Sequence, residues 1–292
     1  AAGSRECQVS IDWAELMSSR FLEDAPVTVV EREPKVFKGD RTGTRIRIDD
    51  LNQKEWSRAE VRDLYRQAAS ISSPFSSRAD DFSIDFQVPG FQQWISEMPD
   101  ASELLKRAPW RFRFKFDGEQ IKYTYDFRGV PGIKIKKRKV EQSEPLQIIA
   151  KREPDDLDAA TAPKAKRPTS VTADQSTIHG IGPIKGTLYV YDRDREIMSR
   201  YAQSRLIERF LDQNGGVRVY RDEIRIYNYG EPGDDWLGLD LRRVNSPSRN
   251  LSGNIVIGLI DLNLEESSGL REKTNREGFV ENAPYRRLRQ VV

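Results

Sequence analysis

One cysteine, one histidine and three methionines are all that this chain of 292 residues holds of those types. Cys7 has no partner for an internal disulfide, and together with His179 it offers too few ligands for a protein zinc site. A reducing, cytoplasmic setting is therefore expected. Charge of one sign is also lacking in excess: Lys plus Arg number 48 against 46 for Asp plus Glu, a net of +2. No whole-protein field draws the chain toward nucleic acid, and any basic surface has to be local. Nor does any run approach the ~18 consecutive apolar residues of a membrane span. The first residues lack the basic-then-apolar pattern of a secretory signal. Ala1-Ala-Gly-Ser4 carries no initiator methionine, so a truncated start and a native one are equally expected.

What is present is enough for two domains, each with its own core. Hydrophobic residues make up 37% and charged residues 32%, so some segments are expected to lie outside any core. Cys7 to Ile11 alternates like a short strand, and Asp12 caps a helical turn after it. Thr28 to Val30 reads as another strand. Gly43-Thr-Arg-Ile-Arg-Ile-Asp49 alternates more clearly, with Ile46 and Ile48 on one side and Arg45 and Arg47 on the other. Ser57 with Glu60 has capping-box spacing, and Val61, Leu64, Tyr65, Ala68 and Ile71 recur at helical spacing as far as Pro74.

Beyond this the pattern changes. Phe82 to Phe86 reads as a strand and Ala101 to Ala108 as a helix. Trp110-Arg-Phe-Arg-Phe-Lys-Phe116, the Asp117-Gly118 turn and Ile121 to Phe127 predict a β-hairpin. Rings interleaved with cations suit a nucleic-acid platform. They suit a half-buried hairpin better, because alternation sends the rings and the cations to opposite faces. Gly129 to His179 has little periodicity and includes Lys134-Ile-Lys-Lys-Arg-Lys139 and Lys164-Ala-Lys-Arg-Pro168, a composition that fits a linker or a solvated basic loop.

Periodicity returns with a strand over Gly186 to Asp192 and a helix over Arg205 to Asp212 that a left-handed cap at Asn214-Gly215-Gly216 would end. Val217 to Tyr227 predicts a tight hairpin around Asp222-Glu223. Trp236, Leu237, Leu239 and Leu241 fall in the connection that follows. A strand from Asn254 to Leu262 and a helix from about Asn275 complete a β-α-β-β-β-α unit, hence a layered α+β domain. Asp192, Asp194, Asp234, Asp235 and Asp240 sit at turns, where Asp is favoured for local hydrogen bonding, and no metal ligand is assigned among them.

Several stretches together resemble the GHKL ATPases, the superfamily of gyrase B, heat-shock chaperone ATPases, histidine kinases and MutL. They are Phe37 to Ile48 with Trp56 and Ser73-Pro-Phe75; Gly215 to Glu223; Tyr229-Gly-Glu-Pro-Gly-Asp-Asp-Trp-Leu-Gly-Leu-Asp240; and Glu272-Lys-Thr-Asn-Arg-Glu-Gly-Phe279. The resemblance implies the end of an ATP-binding sandwich over residues 1–83, a hairpin-containing insertion with a flexible basic linker over 84–181, and a transducer-like domain over 182–292. It implies that Gly43 and Thr44 face the nucleotide phosphates. It also implies that Arg276, or after it Lys273, reaches the γ-phosphate, where a cation stabilises the charge spread during phosphoryl transfer. Read without the resemblance, Gly43-Thr44 is a strand-entry turn and Arg276 a charge partner of neighbouring glutamates.

The departures are as definite. The sequence lacks the Glu and the magnesium-holding Asn on a helix, the Asp-x-Gly-x-Gly loop for adenine, and the glycine-rich lid. No Walker loop replaces them. The resemblance therefore places those elements upstream of Ala1, with ATP and Mg2+ bound only when they are present and this chain alone inactive. It implies a client that is DNA or protein, homodimerisation driven by nucleotide, and no membrane. The alternative is a non-catalytic module binding nucleic acid or an acidic protein through the basic strand and linker.

Overall fold

A computed structural model describes residues 5–18, 27–53, 55–71, 84–98, 101–149, 170–245, 251–275 and 277–292. The chain divides into two compact units, Ala1–Trp56 and Ser57–Val292.

In the first unit, β1 (Glu6–Ile11) and β2 (Val27–Arg32) pair antiparallel, with Val9 opposite Val29 and Ile11 opposite Val27. Asp12 starts α1 (Trp13–Ser18) as expected, its Oδ1 accepting from the N–H of Ala14 at 2.8 Å. Glu6 anchors the other end of the hairpin. Its carboxylate accepts from the backbone of Val36 and Lys35 and from Arg32, which together hold its pKa down at about 2. Gly43 to Asp49 forms no strand, contrary to its alternation. Alternation distinguishes two faces, but a strand also needs a ladder partner for its N–H and C=O groups. Among the described strands none pairs with it, and Ile46 and Ile48 are 82% and 64% exposed.

The second unit opens with α2 (Arg58–Ala69), whose capping box is complete: the Ser57 hydroxyl accepts from Glu60 N, and the Glu60 carboxylate accepts from Ser57 N at 2.8 Å. The helix ends at Ser70, before the Pro74 stop expected from sequence. Ser73 to Phe75 and Pro74 lie outside the described residues, as do Phe82 and Ser83. Residues 84–86 form no strand. Then come α3 (Gln93–Ser96), α4 (Ala101–Arg107), β3 (Trp110–Phe116), β4 (Gln120–Phe127), β5 (Arg138–Pro145), β6 (Gln147–Ile149) and β7 (Ser170–Thr172). The aperiodic stretch 129–179 therefore contains three strands, and Arg138 and Lys139 of its basic cluster lie in β5. Lys164 to Pro168 lie outside the described residues. The chain continues through β8 (Ile184–Val190), α5 (Arg195–Met198), α6 (Ser204–Asn214), β9 (Gly216–Arg221), β10 (Ile224–Ile226), α7 (Leu239–Asn245), β11 (Val256–Leu262) and α8 (Ala283–Val291).

Seven strands form one mixed sheet in the order β10-β9-β11-β8-β3-β4-β5, with β9 and β11 parallel and the other pairs antiparallel. The expected hairpin β3–β4 is thus continuous with the later strands, because β3 pairs β8 from Trp110↔Val190 to Phe116↔Ile184. Alternation puts Phe114, Phe116, Ile184, Val219 and Ile260 on one face, packed with Tyr285, Leu288 and Val291 of α8. Tyr189, Tyr220, Ile257 and Leu259 lie on the other, packed with Leu104 and Leu105 of α4 and Ile207, Phe210 and Leu211 of α6. The result is an α+β layered architecture with a core on each side of the sheet. Phe116, Ile184 and Ile260 are fully buried, each worth about 1.5–3 kcal/mol in transfer free energy.

Two further expectations are corrected. Gly215 closes α6 in an extended conformation (φ −61°, ψ 139°), and the positive φ falls on Gly216, the first residue of β9, so the chain passes directly into the strand without a left-handed cap. The last helix starts at Ala283 rather than near Asn275. Asn282 caps it by accepting from Tyr285 N at 3.0 Å, with Pro284 in its first turn. Residues ahead of it are committed elsewhere, since Glu272 bridges to Phe279 and Tyr227 to Glu277.

Candidate functional site

Of the residues singled out from sequence, Gly43 and Thr44 belong to the first unit and Lys273 to the second. Arg276 lies outside the described residues. Gly43 packs against Phe37, whose ring a β-carbon there would meet at 2.8 Å. Both Gly43 and Thr44 are exposed in a segment without regular structure.

Lys273 stands in a narrow loop whose base is tightly held. Lys273 N donates to Gly278 O at 2.9 Å and Val280 N to Arg271 O at 2.8 Å, so the segment doubles back on itself. Gly278 has φ 87°, a value that L side chains rarely adopt, and a β-carbon there would lie 3.0 Å from the Tyr229 hydroxyl. Phe279, 1% exposed, drives the base into the core. Its N–H donates to Tyr229 Oη at 2.8 Å.

Tyr229 in turn packs in an aromatic group with Trp236 (ring centres 4.9 Å), Phe279 (5.7 Å) and Tyr285 (6.1 Å). Trp236 Nε1 donates to Val217 O at 2.7 Å, which ties the group to β9. Burial raises the Tyr229 pKa, so the hydroxyl stays protonated and is free to accept from Phe279 N.

Arg221, the last residue of β9, completes the base. Nη2 donates to Leu270 O at 2.6 Å and Ser267 O at 3.0 Å, and Nη1 pairs with Glu272 at 3.2 Å. A second buried arginine, Arg225 on β10, donates to Ser70 Oγ at 2.6 Å and pairs with Glu231 at 2.6 Å, fastening the end of α2 to the sheet. Neither arginine was singled out from sequence. The signal was a cation within Val217-Arg-Val-Tyr-Arg221, a run otherwise apolar enough to be buried on both faces.

Directly beyond this base, Lys273 to Asn275 are exposed, and Lys273 has no ion pair among the described residues. A cation held out on a rigid base can neutralise an anion brought to it from outside.

The aspartates act in turns. Asp194 caps α5, Asp234 accepts from Gly230 N at 2.9 Å, Asp235 from Leu239 N at 2.6 Å, and Asp240 from Ser252 Oγ at 2.6 Å and Gly253 N at 2.9 Å. Among the described residues no three of His, Cys, Asp and Glu stand together as a metal site. His179 follows the 3-10 turn Gln175–Ile178, and its carbonyl accepts from Arg287 at 2.7 Å. Cys7 is exposed on β1.

On β3 the rings and the cations separate. Phe112, Phe114 and Phe116 face one core, whereas Arg113 and Lys115 are exposed on the opposite side. Among the described residues no helix is long and apolar enough to cross a membrane. In comparisons with known proteins, no family model, no curated protein and no solved structure matches this chain.

Proposed function

We propose that this chain is part of an ATP-driven molecular switch of the GHKL type, in which the layered domain is the transducer and the loop from Glu272 to Phe279 offers a cation to a nucleotide phosphate. The observation that carries the reading is the contrast within that loop: a base fixed by Arg221, Tyr229 and Phe279 beneath an exposed Lys273 that has no ion pair among the described residues. Preorganised charge stabilises a developing anion without reorganisation at the moment of reaction. The order of elements from β8 to α8 also supports the reading, since it contains the expected β-α-β-β-β-α succession with α5 and α7 added.

ATP and Mg2+ enter this proposal with a limit. Lys273 suits a phosphate oxygen. The contacts to adenine and to the metal are assigned to the sequence elements this chain lacks. What the chain's own residues do is position Lys273 on a braced loop. Nucleotide-dependent dimerisation and a DNA or protein client belong to the same proposal.

Calorimetric titration with ATP and Mg2+ tests it, on this chain and on a longer one carrying the Glu/Asn helix and the Asp-x-Gly-x-Gly loop. Binding is expected only in the longer form. There, Lys273→Ala and Arg276→Ala should together lower kcat by about 100-fold while leaving nucleotide affinity nearly unchanged. No binding in either form, or equal loss of affinity and turnover, would overturn the proposal.

A further inference from the structure

Register brings together cations that single strands do not reveal. Lys122 of β4 lies opposite Lys115 of β3, and Lys115 lies opposite Lys185 of β8. Three lysines thus stand on one rung across three neighbouring strands, all exposed. Arg113, one position along on the same face, sits between Thr124 and Thr187 and is exposed as well. None of these four cations has an ion pair among the described residues, whereas their neighbours Arg111 and Lys139 are paired with Asp126 and Glu141. Acidic groups do lie nearby. Asp261 continues the rung beyond Lys185, Glu141 is close enough to feel Arg113, and Asp117 to feel Lys122.

Like charges directly opposite one another destabilise a sheet. A face meant only for water is better served by opposite signs across strands, and the β4–β5 pairing shows the chain can do this, with Asp126 opposite Lys139. The lysine rung departs from that pattern on three neighbouring strands of the sheet. Phe114 and Phe116, which flank Lys115 on the other face, are both buried. The four cations share one face, with no ring among them on which a base could stack.

We propose that this face, with Lys115, Lys122, Lys185 and Arg113 at its centre, binds the phosphate backbone of duplex nucleic acid without reading its sequence. At the usual strand spacing the rung spans about 10 Å. A duplex carries about six charges over that length. Threonine hydroxyls at 124 and 187 add donors to phosphate oxygens. The rings on this face, Tyr189 and Tyr220, are buried, which favours a duplex over a single strand, whose binding depends on accessible stacking platforms. This reading is independent of the ATP-driven switch and needs no nucleotide.

Fluorescence anisotropy of a labelled mixed-sequence 20-base-pair duplex tests it on the whole chain, between 50 and 300 mM salt. Four phosphate contacts predict a slope of log K against log salt of about −3.6. Lys115→Gln with Lys185→Gln should weaken binding at least tenfold and reduce the slope by about 1.8. Both sites are exposed, and the repulsion relieved is offset by the lost attraction of Lys185 for Asp261, so the melting temperature of the double variant should change little. Lys134→Gln with Lys136→Gln, in the neighbouring basic cluster, should leave binding nearly intact. The proposal is overturned if that second pair abolishes binding while the rung variant retains it. Tighter binding of a single strand than of the duplex, or binding of anionic phosphatidylserine vesicles without duplex binding, would also overturn it.

Discussion

The guanidinium of Arg221 lies over the ring of Phe279, 4.9 Å from its centre, while the same group donates to the carbonyls of Ser267 and Leu270 and pairs with Glu272. One side chain at the end of β9 therefore gathers both ends of the segment 267–279. The exposed part of the loop inherits its position from a buried arginine that touches no solvent-facing cation.

Arg221→Met should be among the most destabilising single changes in the second unit. It leaves two carbonyls and Glu272 without their donor, a loss of about 3–5 kcal/mol. Arg221→Lys should recover less than half of this, because an ammonium cannot reproduce the planar fork. Urea denaturation at unchanged m-value measures both.

Tyr229→Phe removes one atom and strands one buried donor. The N–H of Phe279 loses its acceptor at 2.8 Å, at a cost of about 1–3 kcal/mol. Amide exchange at Phe279 should accelerate more than exchange at Ile260 on the central strand β11. Equal acceleration at both would mean that the bond does not hold the loop locally.

Asp261 gives the sheet a pH dependence. Burial raises its pKa to about 6, against the attraction of Lys185 and with Glu223 adding to the rise. An unfolded aspartate titrates near 3.9. Between these values the folded state binds the proton more tightly, so the contribution of this group to stability falls as pH rises from about 4 to about 6. Asp261→Asn should remove that decline, matching the wild type at pH 4 and exceeding it by about 1–3 kcal/mol at pH 7.5. Melting temperatures across that range decide it.

The lysine rung makes a prediction about stability as well as binding. Lys115→Gln relieves repulsion from both Lys122 and Lys185 and should stabilise the second unit by about 0.2–1 kcal/mol at low salt. The gain should vanish at about 1 M salt, where charges beyond ~3 Å are screened. A loss of stability would show that the lysine stems contribute packing that outweighs the repulsion.

Much of the local structure was legible in the sequence, because it rests on short-range chemistry. The capping box of Ser57 and Glu60, the alternation of Trp110 to Phe116, and the turn at Asp222-Glu223 all formed as expected. Both turn residues have positive φ, 47° and 68°, which suits a tight hairpin. The late start of α8 was legible too, since Asn282-Ala283-Pro284 carries a capping residue followed by first-turn proline. What sequence withheld depends on pairing over distance. Nothing within Gly43 to Asp49 says that a strand-like pattern will go unpaired, and nothing within β3 says that Lys115 will meet lysines from β4 and β8. Of the site residues, Lys273 is exposed on a braced loop, but the bracing by Arg221 depends on contacts 46 to 51 residues away.

The strand order also sets the sequence in which a chain made from its N-terminus can close its sheet. β3, β4 and β5 can pair as soon as they are made, and β8 can then join β3. Among the described strands the β9–β10 hairpin has no other neighbour in the sheet than β11, so it must wait for residues 256–262 before it can join the sheet. Arg221 waits with it, because Ser267, Leu270, Glu272 and Phe279 are made later still. The loop that carries Lys273 is therefore among the last parts of the fold to be assembled, and a ribosome stalled before β11 would hold a sheet with four strands joined and the hairpin undocked.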